Sequence, residues 1–257
     1  SNYTFARPSV AYKSDGTQVA ANVPRFEDGK FGKAVMVEEG TTNVFPNSKS
    51  FEECSGTHVG DVNTPNSTRT SFGGNWYGGT HYNTAIITID GENGLFGDKC
   101  LRFIHDGSAG WKGAKTSWNI TSGTTYTISV YARVNQPSNV GWPNGYAVYG
   151  TAHKILFAWP DGTPLQNVGK WVRGVVTFTA SVSESTTTYL YGSTYGEAGL
   201  IIDWDGLQVE QKPYATSFVD GTRSPETLTI PTAGVLNPQE GTVECYAYVN
   251  DASRYQN

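Results

Sequence analysis

The chain has 257 residues, enough for one large or two small domains with a real core. Charged residues make up 16%, against about 25% in an average soluble protein, while aromatics reach 13% and there are 30 Gly. That balance suits a turn-rich β protein rather than a helical one. The net charge of −5 provides no basic footprint for nucleic acid or an anionic lipid surface, and no apolar run approaches the roughly 20 residues that cross a bilayer.

Strand patterns recur along the chain. The stretch from Cys54 to Gly79 is the exception: rich in Ser, Thr, Asn and Gly, it reads as a long surface loop ending just past Trp76 and Tyr77. AIITID (Ala85–Asp90) reads as a strand. In CLRFIH, Leu101 and Phe103 fall on one side and Arg102 on the other. In TTYTISVYARV, Tyr126, Ile128, Val130, Ala132 and Val134 share a face, the period-two mark of a half-buried strand. ILFAW (Ile155–Trp159) is a continuous apolar run of the kind a fully buried strand shows. In WVRGVVTFT, Val172, Val176 and Phe178 alternate with Arg173, Thr177 and Thr179, and YLYGS (Tyr189–Ser193) is a further strand. Asp90-Gly91, Asn144-Gly145 and Asp161-Gly162 read as turns between them. No window has a helical period. Many short strands with Gly/Asn/Asp turns predict two antiparallel sheets packed as a sandwich. The three cysteines, Cys54, Cys100 and Cys245, allow at most one internal disulfide; they read as small buried side chains, with Cys54–Cys100 the candidate bridge.

The segment DWDGLQVEQKPYATSFVDGTR (Asp203–Arg223) joins an acidic strand end, an alternating strand and a Pro/Tyr/Gly exit. Together with NVFPNSKSFEE (Asn43–Glu53), it resembles the closing and opening motifs of calcium-binding carbohydrate-binding modules of the family 4, 9, 16 and 22 type, which are galactose-binding-like jelly-rolls. The resemblance implies an all-β fold, a jelly-roll β-sandwich of two antiparallel sheets over residues 44–220. It also implies a structural calcium held by an acid after the first strand and an Asp in the last. Glu52 and Asp205 take those places, with Asp203 the third candidate; carboxylates and backbone carbonyls are the oxygens calcium needs. The resembled modules carry a second acid after the closing Asp, where this chain has Gly206. At period two, Asp203, Asp205, Leu207 and Val209 fall on one side of the strand.

The two ends differ from the middle. GKFGKAVMVEEGTTN (29–43) resembles the opening strand of laminin-G-like, concanavalin A-like lectin domains, and SPETLTIPTAGVLNPQEGTVECYAYVN (Ser224–Asn250) resembles the strands that follow it. Residues 1–43 and 221–257 then form extra flanking strands, a partial lectin-like unit into which the module is set. The bland alternative is a pair of extended arms. The expectation is a piece of a longer multidomain protein.

Sugar binding needs flat apolar platforms for pyranose faces and polar side chains for hydroxyls. Trp76 and Tyr77 in GGNWYGG, Trp111 in SAGWKGAK and Trp142 in NVGWPNGY sit among glycines with few sequence neighbours to pack on. They are the expected platforms, with Asn75, Lys112, Asn144 and Gln166 as hydrogen-bonding partners. Trp171 and Trp204 read as core; Trp118, Trp159 and Tyr149 read as candidates to line a sheet face.

No HExxH, nucleophile elbow, P-loop or GxGxxG is present, and the four His have no ligand spacing. Asp203 and Asp205 are the one pair that could be imagined as a glycosidase acid and base, but Leu207 and Val209 beside them argue for a core edge. The expected function is non-catalytic binding of an extracellular polysaccharide of the β-glucan, mannan or xylan class, by a module of a secreted, cell-surface or phage protein. The alternatives are a structural or adhesive role without sugar specificity and, third, a hydrolase or lyase. No nucleic acid or membrane insertion is expected.

Overall fold

The computed structural model describes residues 3–29, 32–47, 49–59, 70–81, 86–107, 111–137, 144–192, 198–231 and 233. Val44–Ala215 forms one compact unit, and the described residues before Val44 and from Thr216 to 233 form a second. The second unit contributes β1 (Thr4–Ala6), β2 (Ala11–Tyr12), β3 (Gln18–Val19), β4 (Arg25–Gly29), β5 (Gly32–Met36) and β6 (Thr41–Thr42). The first contributes β7 (Thr57–Val59), β8 (Thr70–Gly73), β9 (Trp76–His81), β10 (Ile86–Asp90), β11 (Cys100–Ile104), β12 (Trp111–Ile120), β13 (Thr125–Val134), β14 (Asn144–Tyr149), β15 (Lys154–Leu156), β16 (Val172–Thr179), β17 (Glu184–Tyr191) and β18 (Ile201–Glu210). The chain then returns with β19 (Thr222–Arg223) and β20 (Thr227–Thr229).

The strands of Val44–Ala215 form two six-stranded antiparallel sheets, a jelly-roll sandwich. One sheet has the order β16-β13-β18-β11-β10-β7 and the other β15-β14-β17-β12-β9-β8. The core between them takes Leu101, Phe103, Ile128, Val130, Ile202 and Trp204 from the first sheet, and Phe72, Trp76, Ala114, Trp118 and Leu190 from the second. The period-two reading of β13 holds, since its five predicted inward residues all lie in this core. Three local readings change. Cys54–Gly79 contains β7, β8 and the start of β9 rather than one loop, although residues 60–69 lie outside the described residues. Asn144-Gly145 lies inside β14 and not in a turn. The ILFAW run is no central strand: β15 is an edge strand with Leu156 exposed, and the run continues as a single bridge, Ala158 to Val175.

Strand β18 also departs from simple alternation. Its pairing with β13 slips between Asp205 and Gln208, so Gly206 and Leu207 form a bulge. Gly206 has φ +62°, and a Cβ on it would come within 2.5 Å of the Phe96 ring. No second acid fits there, which explains the departure from the resembled motif. The extra residue flips the side-chain parity. Leu207 and Val209 join Ile202 and Trp204 in the core, so the expected grouping of Leu207 and Val209 with Asp203 and Asp205 is corrected.

In the other unit, β1 pairs with β20 and β6 with β19, so segments from before and after the sandwich are hydrogen-bonded to each other. The same unit contains a buried ion cluster. Glu226 accepts from Arg7 Nη1 (2.9 Å) and from Arg25 Nε and Nη2 (3.0 and 2.8 Å). Glu38 pairs with Arg25 (2.7 Å) and Arg223 (3.2 Å). All three arginines are fully buried. Burial acts to raise the Glu38 carboxyl, but Arg223 and Arg25 hold it below its ordinary value.

Candidate functional site

The metal candidates separate on inspection. Asp203 is not available to a cation. Its oxygens accept from Arg102 Nε and Nη2 (2.7 and 2.9 Å) and from Arg133 Nη2 (2.7 Å). Arg102 also reaches Asp90 at 2.6 Å, and Arg133 lies 4.6 Å from the Trp171 ring centroid. Trp171 is therefore half-buried on the outer face of its sheet rather than in the core. This network corrects the expectation of Asp203 as a calcium ligand, and equally its imagined role as a glycosidase acid or base.

Asp205 is different. It is fully buried and held by backbone N–H groups alone: Leu95 (2.7 Å) and Phe96 (2.9 Å) on Oδ2, and Gly206 (2.6 Å) on Oδ1. Burial pushes its carboxyl well above the usual range; the three N–H bonds oppose that shift and the charge of Glu52 adds to it. Glu52 Oε1 accepts from Lys99 N (2.7 Å), and the Lys99 ammonium caps the carbonyls of Glu52 and Cys54 (2.7 and 2.9 Å). A desolvated carboxylate that also feels a second negative charge is what a divalent cation would relieve, and Glu52 and Asp205 are the acids that would hold one here. No group of three or more His, Cys, Asp or Glu ligands occurs among the described residues, so any remaining ligands would be carbonyls or water. Cys54 and Cys100 are separate buried thiols, and burial pushes Cys100 upward.

The aromatic candidates also divide. Trp76 is not an exposed platform. It is fully buried, 5.1 Å from Phe51 and 6.3 Å from Phe45 by ring centroids. Its neighbour Tyr77 is exposed, because β9 alternates. Asn75 is exposed in the β8–β9 turn, with φ +61°, and its Nδ2 donates to Asn47 Oδ1. Trp111 starts β12 and Asn144 starts β14, but their side chains and that of Lys112 lie outside the described residues, as does Trp142 entirely. Gln166 is exposed in a short 3-10 turn, where its side chain accepts from Thr163 N. Trp118 belongs to the core, its Nε1 donating to Thr188 Oγ1, and Trp159 packs on Trp204.

A different set of aromatics faces outward from the second sheet. In β17 the inward residues are Thr186, Thr188 and Leu190, which leaves Thr187, Tyr189 and Tyr191 on the outer face. Strand pairing sets Leu156, Tyr146, Tyr189, Lys115, Tyr77 and Ser71 directly opposite one another, in one row across six strands. At about 4.8 Å per strand spacing the row is roughly 24 Å long. Tyr189 and Tyr191 stack at 5.3 Å and 15°. Tyr149 stands edge-on to Tyr189 (5.5 Å, 88°) and to Tyr146 (5.0 Å, 69°). The Lys115 ammonium lies 5.6 Å from the Tyr189 ring centroid, and that of Lys154 lies 5.4 Å from Tyr149. Burial, then the neighbouring phenols, raise the Tyr191 hydroxyl, so it stays protonated and able to donate. Tyr149 was the one member legible as a sheet-face residue. The others required knowing that β14, β17 and β12 are neighbours, although the alternation in TTTYLY already put Tyr189 and Tyr191 on the face opposite Leu190.

A titratable cluster lies near the β14–β15 turn. Glu184 accepts from the amides of Thr151, Ala152 and His153 and from His153 Nδ1 (2.6 Å). His153 Nε2 accepts from Ser181 N, which places the imidazole proton on Nδ1. The lone pair a general base would use is thus engaged by a backbone amide, and the cluster locks a turn.

No protein-family model matches the chain, and no curated protein matches it. Among solved structures, the chain is similar to the CBM22-1–GH10 modules of the Clostridium thermocellum endo-1,4-β-D-xylanase 10B, complexed with xylohexaose, at 16% identity and a TM-score of 0.40; the match covers 64% of this chain and 28% of that one. It is also similar to a xylan-binding domain of family 22 (16% identity, TM-score 0.38, 66% of this chain and 100% of that one) and to a family 16 carbohydrate-binding module (12% identity, TM-score 0.35, 48% and 84%). The match thus spans less than a third of the xylanase modules' length. With TM-scores this low, the functional reading rests on the residues of the site.

Proposed function

We propose that the sandwich unit binds an extracellular polysaccharide, without transforming it, on the outer face of the β15-β14-β17-β12-β9-β8 sheet. The observation that carries this is the tyrosine cluster Tyr146, Tyr149, Tyr189 and Tyr191, joined in register to Lys115 and Tyr77. Sugar rings present an apolar face and a rim of hydroxyls. Tyrosine meets both, with a flat ring and a phenol that donates and accepts. A row running across the strands supports a chain laid over the sheet. The strand backbones hold the rings in place, so little ordering is required on binding.

The proposed ligand class is a β-glucan, mannan or xylan, and the setting a module of a secreted, surface or phage protein. Calcium, in this proposal, is held by Glu52 and Asp205; bound there, it would neutralise both carboxylates and tie the start of the sandwich to its last strand. The described residues contain no helix long and apolar enough to cross a membrane. The direct test is affinity electrophoresis against soluble β-glucan, mannan and xylan. Retardation by at least one, lost in Tyr189→Ala and Tyr146→Ala variants that melt normally, supports the proposal. Retardation that survives both changes places the site elsewhere.

A further inference from the structure

Resting on the polysaccharide reading above, we infer that the tyrosine face takes the end of a glycan chain. The terminal sugar sits in a corner between Tyr189 and Tyr191 on β17 and a wall of Tyr146 and Tyr149 on β14, and the chain runs away from the wall over β12 and β9. The argument begins with the ring planes. Tyr189 and Tyr191 lie within 15° of parallel, and Tyr191 leans over Gly113 of β12, where a Cβ would come within 2.5 Å of its ring. The two rings on β14 are turned across this pair. Tyr149 is 88° from Tyr189, and Tyr146 is 83° from Tyr191. Two nearly perpendicular aromatic surfaces thus meet along the line between β17 and β14. A sugar placed there can set one apolar face on a ring of β17 and an edge against a ring of β14.

Lys154 shows which way the wall faces. It is the register partner of Tyr149 on β15, the strand on the side of β14 away from β17. Its ammonium lies over the Tyr149 ring, 5.4 Å from the centroid. One face of Tyr149 is therefore turned toward β15 and the other toward β17, so the ring stands across the row. Tyr146 meets it at 5.0 Å and extends the wall along β14. The wall is also braced. Tyr149 leads directly into the turn 150–153, whose amides at Thr151, Ala152 and His153 (2.7, 3.1 and 3.1 Å) all donate to Glu184 at the start of β17. Ser181 N holds the His153 ring from the other side (3.1 Å). A chain arriving along the row meets a ring already fixed by its turn, so little ordering remains to oppose binding. From the wall, the row reaches Tyr77 on β9 through Tyr189 and Lys115. Those three strand spacings span about 14 Å, room for a short run of sugars behind the terminal one.

Chain length tests this. Soluble β-glucan, mannan and xylan are each compared in two samples, one long and one partly hydrolysed to about a tenth of the length but still longer than the row, as competitors of retardation in an affinity gel. At equal mass the shorter sample carries about ten times as many ends, so by mass action its potency should rise about tenfold for at least one polymer. Tyr149→Ala removes part of the wall and should bring the two samples closer to equal potency. Tyr149→Phe keeps the ring and should preserve the difference. Equal potency at equal mass in wild type, with clear retardation, means that chain interiors are bound; it overturns the inference and leaves the polysaccharide reading standing. A difference undiminished in a Tyr149→Ala variant that melts normally also overturns it, because the end would then be read elsewhere. No retardation by any polymer overturns both.

Discussion

The ring of Tyr191 fills the space that a side chain on Gly113 would need. The two residues are register partners on β17 and β12, and a Cβ on Gly113 would come within 2.5 Å of the Tyr191 ring. The missing side chain on β12 is what lets the ring lie low on the sheet and stack on Tyr189. Gly113→Ala should therefore lift Tyr191 and disturb the stack, destabilising the sandwich by about 1–3 kcal/mol as overpacking does and weakening polysaccharide retardation. Removing the ring as well should recover stability, so the double variant Gly113→Ala/Tyr191→Ala should be less destabilised than the sum of the two singles. Urea denaturation of the four proteins reads the coupling; strict additivity would count against the contact.

Trp76 and Tyr77 are adjacent in sequence and opposite in role. Trp76 is a core ring between the sheets, and Tyr77 lies on the proposed binding face. Trp76→Ala should cost about 3–5 kcal/mol of stability. Tyr77→Ala should change stability by about 0.5 kcal/mol or less while reducing binding. Thermal melts and affinity gels on the pair would show the two effects crossing over.

The fold was legible wherever burial on one face imposed period two, as in β13 and in the Leu101/Phe103 pair. It was illegible where backbone geometry breaks that period. The Gly206 bulge could not be read from WDGLQVE, because a glycine between an Asp and a Leu announces neither its φ of +62° nor the Phe96 ring above it. Loop composition misplaced Trp76 for a related reason. Glycines around an aromatic suggest exposure, but here Gly74 and Asn75 make the tight turn between β8 and β9, and the next residue enters the core. Of the proposed binding face only Tyr77 and Tyr149 stood out in the sequence, because Tyr146, Tyr189 and Lys115 lie on three strands whose adjacency is non-local. Each reads alone as an ordinary half-exposed strand residue.

The buried ion cluster of the flanking unit gives a sharp stability prediction. Glu226 neutralises Arg7 and Arg25 with no water access, and its Oε2 also accepts from Glu38 N. Glu226→Gln keeps the shape but leaves the buried Arg7 without its carboxylate and Arg25 with Glu38 alone. The expected loss is about 3–5 kcal/mol, read as earlier unfolding or faster proteolysis of the segments on either side of the sandwich. Retardation by polysaccharide should not change.

Acid should loosen the β14–β15 turn. Glu184 is held down from the ordinary 4.5 to about 2, chiefly by its hydrogen bond with His153 and then by the backbone amides of the turn. A carboxylate whose folded value is depressed stabilises the fold fully above its unfolded value and loses that contribution as pH falls through the folded one. The contribution from Glu184 should therefore be intact above about pH 4.5 and disappear toward pH 2. A Glu184→Gln variant should flatten this part of the stability–pH curve, so the gap between wild type and variant should narrow as pH falls through that window. A constant gap down to pH 2 would assign the acid response to other carboxylates.

Asp203 and Asp205 are two residues apart, and asparagine substitution should separate their roles. At Asp203 it removes the carboxylate paired with Arg133 and leaves Arg102 with Asp90 alone, both arginines being only partly buried; the cost should be roughly 2–4 kcal/mol, independent of calcium. At Asp205 there is no arginine to strand. The side-chain oxygen can keep the Leu95 and Phe96 amides, while the new NH2 faces Gly206 N and costs about 1–2 kcal/mol. The larger effect at Asp205 is on metal response. Because its carboxyl is raised by burial and by Glu52, the metal-free fold should lose stability as pH rises from below the usual Asp value through the raised one. A cation between the two carboxylates should offset that loss. Saturating calcium, at about a hundred times Kd, should add about 2.7 kcal/mol, or roughly 5–10 °C in Tm. Chelation should remove that gain from wild type and from Asp203→Asn but find nothing to remove in Asp205→Asn. A calcium response in Asp205→Asn equal to that of wild type would move the metal away from this strand, and no response in wild type at any pH would mean that the Asp205 proton and the three amides suffice without it.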